Sequence, residues 1–412
     1  MNPAAHRTAH RPASQTASRA VSRPASRTAS RTANRLCYST NVHPAEDLPG
    51  ILRQLDTCAV PVRERTGFDR LGLGLWLAAD AAAELAADPA LLRRLRTELD
   101  ARELAVLALN AFPYGGFHQR VVKHAVYRPD WTEPDRARYT ADCATVLAGL
   151  LPDDADGGSI STLPLGWRRP WSAAADRAAE EALRRTAAVL RTVSGRAGRP
   201  IRLAVEPEPG CVLDSVSDAV RWLAPRADLE FVGLCLDTCH LAVSFADPER
   251  TVAEVERAGL RVVRIQASAA LHLDDPGDPQ ARRLLARYAE PRYLHQVREL
   301  DGSGRVLTAD DLPEALDRLP GRGPWRVHFH VPLHARPPAP LRATTEVLRR
   351  AVAAVGERTV IEVETYTWPV LPGESVGTPP GAAAGAPAGV PAGIAAELVW
   401  AERELIGEGV VR

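Results

Sequence analysis

Short apolar runs alternate with longer segments of helical period along most of this chain. The runs are rich in Val, Leu and Ile and lie at 36–40, 71–77, 104–110, 159–163, 201–205, 232–236, 262–267, 326–331 and 360–363. Strands that are apolar on both faces occur where helices cover both sides of a parallel sheet, so the pattern predicts an α/β fold. About eight repeats over roughly 330 residues favour a closed (β/α)₈ TIM barrel over an open sheet. One of the nine runs then lies outside the barrel or is not a strand.

The segments between these runs carry helix signals. Helices are predicted at 81–99 with a candidate break at Pro89, and at 172–194, 215–223, 248–258 and 341–355. Asp80, Ser172 and Ser215 occupy N-cap positions, and Gly356 occupies the position of a C-terminal stop.

The chain divides into a barrel and three segments of different composition. Residues 1–35 hold seven arginines, no acid and mainly Ala, Ser, Thr and Pro, so we expect a disordered basic tail. The barrel is expected over 36–370, with a polar, partly helical insertion at 271–324 on the side of the active-site loops. The Pro, Gly and Ala tract 371–393 is typical of a flexible linker, and 394–412 contains an amphipathic closing helix.

Charge and composition exclude several classes of function. The 51 basic and 51 acidic residues cancel, and removing the tail's charge of +7 from a total of 0 leaves −7 on residues 36–412, which disfavours nucleic-acid binding. Lys123 is the only lysine, so no P-loop exists. No run reaches the roughly 18 to 20 apolar residues that a membrane span requires. Six scattered cysteines form no C-x-x-C pair and indicate free thiols in a cytoplasmic protein, and the excess of Arg and Ala is typical of a GC-rich bacterial genome.

Acids and histidines follow several of the predicted strands. Glu206 follows the fifth strand, Asp237 ends the sixth with His240 three residues later, and Gln266 lies at the end of the seventh. His328 and His330 lie in the run RVHFHVPLH, and Glu362 and Glu364 lie in the last run, VIEVETYTW. Each acid could instead cap the following helix. Because strand ends of a parallel barrel meet at one mouth, however, we expect these side chains to converge.

Converging acids are costly to bury unless a cation neutralises them. Carboxylates with one or two imidazoles suit Mn²⁺, Mg²⁺, Zn²⁺ or Fe²⁺. Cys235 and Cys239 flank Asp237, and we interpret both as packing residues. The sequence therefore predicts a divalent metal at the barrel mouth.

This pattern resembles the xylose-isomerase-like TIM barrels, the superfamily of sugar isomerases, epimerases and endonuclease IV. The motifs CYSTNVHPAEDL, LNAFPYGGFH, VVKHAVYRPDW, SISTLPLGW, HFHVPLH and ETYTWPVLP together are similar to the EboE family of bacterial metabolite-traffic barrels, over residues 36–370 and the final helix. The resemblance implies a small-molecule metabolite and other Ebo-cluster proteins as partners.

The resemblance also implies roles for individual residues. Glu206 and Asp237 match carboxylate ligands, His240 matches the D-x-x-H histidine, and Glu362 or Glu364 matches the closing carboxylate. This chain has Gln266 where the epimerase pattern has a histidine ligand, so the imidazole is expected from elsewhere, with His330 as the candidate. Glu206 or Glu364 is expected to act as the catalytic base.

The loop from Phe112 to Trp131, after the third strand, is unusually rich in polar and aromatic residues. It could be a lid or substrate clamp, or an ordered cover for the barrel top. Lys123, as a catalytic or substrate-binding residue, and Arg128 could meet an anionic group. Further candidate substrate-binding residues are Tyr114, His118, His124, His43, His240, Gln266 and His328.

Three functions remain open on the sequence. The first is a metal-dependent isomerase or epimerase serving a bacterial metabolite pathway, acting on a sugar-like or polyol-derived intermediate. The second is a non-catalytic carrier of a metabolite bound for export, with a degraded metal site, as the EboE resemblance implies. The third, phosphodiester hydrolysis, is disfavoured because the acidic body offers no basic groove.

Overall fold

The computed structural model describes residues 35–357, 359–372 and 389–407. The predicted tail, apart from Arg35, lies outside these residues, as do most of the 371–393 tract and the last five residues of the 394–412 segment. Within the described ranges, every helix is too short or too polar to cross a membrane.

Eight parallel strands close into a barrel, which confirms the predicted (β/α)₈ fold. Each strand pairs with its neighbours along the chain, and the last strand closes the barrel between the first and the seventh. Numbered along the chain, the barrel strands are β1 (Leu36–Ser39), β2 (Leu71–Trp76), β3 (Leu104–Asn110), β4 (Gly158–Thr162), β5 (Ile201–Val205), β6 (Val232–Asp237), β7 (Val262–Ala267) and β13 (Val360–Val363).

A second sheet of five short strands lies between β7 and β13 in the chain. Its strands are β8 (Leu271–Leu273), β9 (Val297–Leu300), β10 (Val306–Ala309), β11 (Trp325–Val327) and β12 (Arg342–Ala343), in the order β10-β9-β11-β8-β12. It has a separate apolar core that includes Trp325 and Phe329. The run 326–331 is therefore the one outside the barrel, because only its first residues extend β11 and the rest forms a loop.

Thirteen α-helices are present in the described residues. They are α1 (Leu48–Gln54), α2 (Val60–Thr66), α3 (Ala79–Ala87), α4 (Pro89–Asp100), α5 (Pro134–Leu150), α6 (Ala173–Ala197), α7 (Val216–Leu223), α8 (Thr238–Val243), α9 (Pro248–Arg257), α10 (Pro279–Leu285), α11 (Leu312–Arg318), α12 (Thr345–Val355) and α13 (Val390–Ala401). Short 3₁₀ or π turns lie at Thr40–Val42, Leu55–Ala59, Lys123–Tyr127, Ala286–Tyr288, Trp368–Val370 and Glu402–Ile406.

Side-chain caps explain where several helices begin. Ser172 accepts a hydrogen bond from the backbone NH of Ala175 at 3.1 Å, and Ser215 forms a capping box with Asp218. Gly356 ends α12, as predicted. Asp80 is not a cap: α3 begins after Ala78, so Asp80 lies in the first turn, where its charge favours the helix N-terminus.

Candidate functional site

Three carboxylates meet at the mouth of the barrel. Glu206 follows β5, Asp237 ends β6 and Glu364 follows β13. One oxygen from each lies within 4.8 Å of the others, and all three side chains are buried. The strand ends thus bring together three acids that lie far apart in the sequence.

The hydrogen bonds in this cluster leave part of its charge without a partner. Glu364 Oε1 accepts from Asn41 Nδ2 at 2.7 Å and from Asn110 Nδ2 at 3.0 Å. Asp237 Oδ1 accepts from Ser268 Oγ at 2.9 Å and from the backbone NH of His240 at 2.8 Å. Glu206 Oε2 and Asp237 Oδ2 have no hydrogen-bond partner among the described residues. Buried carboxylate oxygens without hydrogen bonds are suited to bind a cation.

Burial and mutual repulsion raise the pKa values of two acids in this cluster. Burial, and then the charges of Glu364 and Asp237, raises the pKa of Glu206 well above its usual range. Burial and the Asp237 charge also raise the pKa of Glu364. Both acids are therefore held closer to their protonated forms than free carboxyls are.

Three histidines lie beside the carboxylates. His240 Nε2 is 3.0 Å from His328 Nε2, which is 3.3 Å from His330 Nε2. The Nδ1 atoms point to oxygens: His240 to Pro207 O at 2.9 Å, His328 to Gln296 Oε1 at 2.6 Å and His330 to Glu364 O at 2.8 Å. Burial lowers the pKa of His330 to about 4 and that of His328 well below its usual value. Both rings are therefore neutral at neutral pH.

Glu208 has a defined place that the sequence did not assign to it. It accepts from Tyr127 OH at 2.7 Å and from Gln296 Nε2 at 3.1 Å, and its Oε1 is 3.6 Å from His328 Nδ1. Burial raises the pKa of Glu208. Its position two residues after Glu206 was the only available signal, whereas Gln296 belongs to the insertion and carried none.

Possible metal-ligand groups overlap at this mouth. Besides the three carboxylates, sets with ligand atoms within 4.8 Å of one another are Asp237/His240/His330, Glu208/His240/His328 and Cys239/His328/His330. Cys239 was expected only to pack. Burial raises the pKa of the Cys239 thiol, so the thiol is held in its protonated form.

Glu362 does not join the carboxylates, although the sequence made it a candidate metal ligand. Its Oε2 lies 2.8 Å from Arg264 NH1 in a fully buried ion pair inside the barrel. Glu362 and Glu364 have the same parity along β13, so both point inward, but Glu362 lies one layer deeper. Gly74 on β2 leaves room for the Glu362 carboxylate, because a Cβ at this position would collide with it.

Gln266 pairs with Asp237 in the sheet register, but its side-chain oxygen is bound elsewhere. Its Oε1 accepts from Cys235 Sγ at 2.9 Å, and its Nε2 has no partner among the described residues. The carbonyl oxygen that could have bound a metal is thus already engaged.

Glu206, Glu364 and the three histidines line one cavity together with many apolar side chains, whereas Asp237 does not line it. The lining comprises Asn41, Asn110, Phe112, Pro113, Phe117, Val122, Lys123, Val126, Tyr127, Glu206, Glu208, His240, Tyr293, Leu294, His328, His330, Glu364 and Tyr366. Much of the apolar lining comes from residues 112–127 of the loop that the sequence singled out as a lid or cover, whereas Tyr293 and Leu294 come from the insertion and carried no signal in the sequence.

Lys123 lines this cavity, but its charge is already paired. Its Nζ forms an ion pair with Asp311 of the insertion and donates to Tyr293 O at 3.2 Å. The loop after β3 therefore docks on the insertion through this lysine.

The other candidate substrate-binding residues of the loops lie outside the cavity lining. His43 Nε2 is 3.3 Å from Tyr38 OH, and His118 Nε2 is 2.7 Å from Asn41 O. Tyr114 packs edge-on against Tyr139. His124 packs against Trp167, and Arg128 pairs with Asp130 at 3.0 Å and Glu133 at 2.7 Å, at a separate depression on the surface. Packing and local ion pairs account for these side chains.

A family model described as the xylose isomerase-like TIM barrel matches residues 64–351. No sequence among the curated proteins matches the chain.

Three solved structures illustrate the similarity in shape. A protein of Anabaena variabilis, provisionally identified as a sugar phosphate isomerase/epimerase, is 14% identical over 90% of this chain and 98% of its own, with a TM-score of 0.48. A D-psicose 3-epimerase determined with D-fructose is 12% identical over 90% and 99%, with a TM-score of 0.46. The IolI protein with a bound zinc atom is 14% identical over 82% and 90%, with a TM-score of 0.43. At 12–14% identity and TM-scores of 0.43–0.48, these similarities do not identify a substrate.

Proposed function

The chain belongs to the xylose isomerase-like TIM barrel family, and from that premise we propose that it is a metal-dependent isomerase or epimerase of a small sugar-like or polyol-derived metabolite. The observation that carries this proposal is the cluster of Glu206, Asp237 and Glu364, with ligand oxygens within 4.8 Å of one another and two oxygens that have no hydrogen-bond partner among the described residues. Burying that much negative charge without a counter-ion costs several kcal/mol, on the order of the stability of a whole domain. A bound divalent cation offsets this cost.

The donor set fits a hard or borderline divalent ion. Glu206, Asp237 and Glu364 would hold it through carboxylate oxygens, which suit Mn²⁺, Mg²⁺, Zn²⁺ or Fe²⁺. Such an ion, when bound, polarises a carbonyl oxygen of the substrate. Gln266 would not contribute, because its oxygen accepts from Cys235.

Proton movement falls to the two glutamates. Asn41 and Asn110 fix one oxygen of Glu364, while one oxygen of Glu206 has no hydrogen-bond partner in the described part of the chain. A carboxylate can take a proton from carbon and return it as a general base and acid. Glu206 or Glu364 therefore acts as the base that moves a proton between neighbouring carbons.

The metal proposal is tested by replacing Asp237 with Asn and measuring bound metal by mass spectrometry. We expect Asp237→Asn to lose the metal, because the acid is central to the carboxylate cluster. Asp310→Asn, which removes a surface acid paired with Arg168, is the matched control and should retain the metal. Equal metal contents in the wild type and Asp237→Asn would refute the proposal.

A second candidate is non-catalytic carriage of the same metabolite in a bacterial cytoplasm, alongside other Ebo-cluster proteins. Gln266 favours it, because an amide in place of an imidazole removes one ligand from the metal site. The EboE-like motifs are its other support. The two functions can be distinguished by incubating crude metabolite extracts with the wild type and with Glu206→Gln. Chemical change by the wild type alone supports the enzyme, whereas binding without change supports carriage.

A further inference from the structure

The polar and the apolar side chains that line the cavity come from different elements. Most of the polar ones lie at or just after the ends of barrel strands, as Asn41, Asn110, Glu206 and Glu364 do. The apolar ones come from the loop after β3, from the insertion and from the segment after β13, and together they form an apolar wall: Phe112, Pro113, Phe117, Val122, Val126, Tyr293, Leu294 and Tyr366. A ligand in the cavity therefore meets hydrogen-bonding groups at the strand ends and hydrocarbon at the loops.

Three aromatic rings from separate elements meet in the apolar wall. The ring centroids of Phe117 and Tyr293 are 5.1 Å apart, those of Phe117 and Tyr366 are 5.5 Å apart, and those of Tyr293 and Tyr366 are 4.9 Å apart. With Val122 they belong to a small apolar cluster that is separate from the main core of the barrel. The rings thus stabilise one another at the cavity rather than in the barrel interior.

The hydroxyl groups of the two tyrosines in this wall are already directed at protein atoms. Tyr293 OH donates to Phe117 O at 3.3 Å, and Tyr366 OH lies 3.4 Å from His328 Nε2. A ligand beside these tyrosines therefore contacts mainly ring carbon. A free sugar, which has a hydroxyl on nearly every carbon, would bury hydroxyls against the wall without partners, and that is costly.

The lining also offers no free cation to an anionic ligand. Within the described part of the chain, Lys123 is the only lysine or arginine of the lining, and it pairs with Asp311 and donates to Tyr293 O at 3.2 Å. Three glutamates line the same cavity. A phosphate or carboxylate group on the ligand would therefore meet groups of like charge.

We infer that the substrate is an uncharged amphiphile, in which a sugar or polyol head meets the strand ends and an apolar alkyl or aryl substituent packs against the apolar wall. This inference rests on the proposed function and narrows its sugar-like metabolite to an apolar conjugate without phosphate. Burial of the substituent supplies affinity that a hydroxyl group at the same place would not.

The test measures the binding of two series of probes to the full-length protein by isothermal titration calorimetry. One series is methyl, propyl, butyl and hexyl β-D-glucoside, and the other is the 1-O-alkylglycerols with the same chains. Each methylene that is buried against the wall should tighten binding about fourfold, so three of them give about 60-fold. Phenyl β-D-glucoside distinguishes an aryl from an alkyl substituent by comparison with the hexyl glucoside. D-glucose 6-phosphate should bind no more tightly than methyl glucoside.

Two valines of the same loop provide a variant and its matched control. Val126 is partly buried and belongs to the apolar wall, whereas Val121 is 46% exposed and lies outside the lining. Val126→Asn should reduce the tightening per methylene and leave the affinity for methyl glucoside unchanged. Val121→Asn should behave as the wild type. The wild-type series needs no variant, so it remains decisive if Val126→Asn fails to fold.

Several outcomes would overturn the inference. They are equal affinity of the methyl and hexyl members in both series, no binding by any member, tighter binding of D-glucose 6-phosphate than of methyl glucoside, and the same tightening per methylene in Val126→Asn as in Val121→Asn. The last result would mean that the chains bind elsewhere on the protein.

Repeating the titrations with EDTA separates this inference from the proposed function. Weaker binding of every member with an unchanged increment per methylene supports both, because the metal then serves the head and the wall serves the substituent. Chain-dependent binding that EDTA does not alter contradicts the metal dependence and leaves the amphiphile as the cargo of a carrier. Binding that EDTA weakens but that does not depend on chain length overturns the inference and leaves the proposed function.

Discussion

Arg264 and Glu362 form an ion pair with no solvent exposure, in the barrel interior below the candidate metal site. Arg264 Nε and NH2 and both oxygens of Glu362 lack well-aligned hydrogen bonds from the described residues, so each charge depends mainly on the other. Removing one partner leaves an uncompensated buried charge, which costs more than the pair itself contributes.

Glu362→Gln should therefore lower the free energy of unfolding by about 3–5 kcal/mol, as measured by urea denaturation. The double variant Arg264→Met/Glu362→Gln should recover much of that loss, because neither charge remains. Metal content should stay at the wild-type level. Metal loss without destabilisation would restore Glu362 as a ligand.

Glu397 on α13 is a second buried acid. It accepts from the backbone NH of Leu333 at 2.9 Å, from Thr365 Oγ1 at 2.7 Å and from Trp368 Nε1 at 2.8 Å. These donors lie on the loops that carry His330 and Glu364. Burial nevertheless raises the pKa of Glu397 to about 7. One carboxyl thus connects the C-terminal helix to both loops of the site.

The raised pKa of Glu397 predicts a pH dependence of stability. The folded chain binds this proton more tightly than the unfolded chain, so the contribution is complete below about pH 4.5 and is lost as the pH rises to about 7. Between those limits the wild type should lose about 3 kcal/mol relative to Glu397→Gln, which cannot titrate. Urea unfolding of both proteins at pH 5 and pH 7.5 measures the difference. Parallel pH profiles would contradict the assignment.

At the scale of elements, the loop after β3 and the insertion hold each other in place. The backbone NH groups of Val122 and Lys123 donate to Arg292 O at 2.8 and 2.9 Å, and the Lys123 side chain pairs with Asp311. Both elements line the cavity, through Phe117 on one side and Leu294 on the other. Their contact therefore closes one wall of the site.

Lys123→Met and Asp311→Asn should loosen this wall to a similar extent. A partly exposed pair contributes up to about 1 kcal/mol, so amide hydrogen exchange in residues 117–127 should accelerate about fivefold in either variant. The double variant should be no worse than either single one. If Lys123 instead binds an anionic substrate group, Lys123→Met alone will reduce ligand binding, while Asp311→Asn will leave it unchanged.

At the scale of the whole molecule, charge argues against nucleic acid as a partner. Residues 36–412 carry a net −7, and the seven basic residues of the first 35 supply the balance. Phosphate contacts need clustered cations, and a protein making them shows binding that falls steeply with salt. Residues 36–412 instead carry a net negative charge, which repels phosphate groups.

Protein lacking residues 1–34 should therefore bind duplex DNA no better than an acidic control protein of similar size. Fluorescence anisotropy at 50 and 200 mM salt measures this, with the full chain as the comparison. Any binding by the full chain should disappear on truncation. Tight, salt-sensitive binding by the truncated protein would revive a phosphodiesterase function.

The sequence predicted the barrel well because the barrel depends on local periodicity. Leu104–Asn110, Ile201–Val205, Val262–Ala267 and Val360–Val363 form strands with the predicted bounds, since short runs rich in Val, Leu and Ile between turn residues favour buried strands. The five-stranded second sheet escaped prediction because its strands have only two to four residues, too few to show a period.

The sequence by itself determined the class of fold and the positions of Glu206, Asp237 and Glu364 at strand ends, because strand parity and the end of an apolar run can be read locally. Only the tertiary structure decided which polar groups share an environment. It placed Glu362 against Arg264, Lys123 against Asp311, and two histidines of the loop after β11 beside His240. Such pairings depend on how distant segments pack and on which buried charges find a partner, and no short stretch of sequence encodes either.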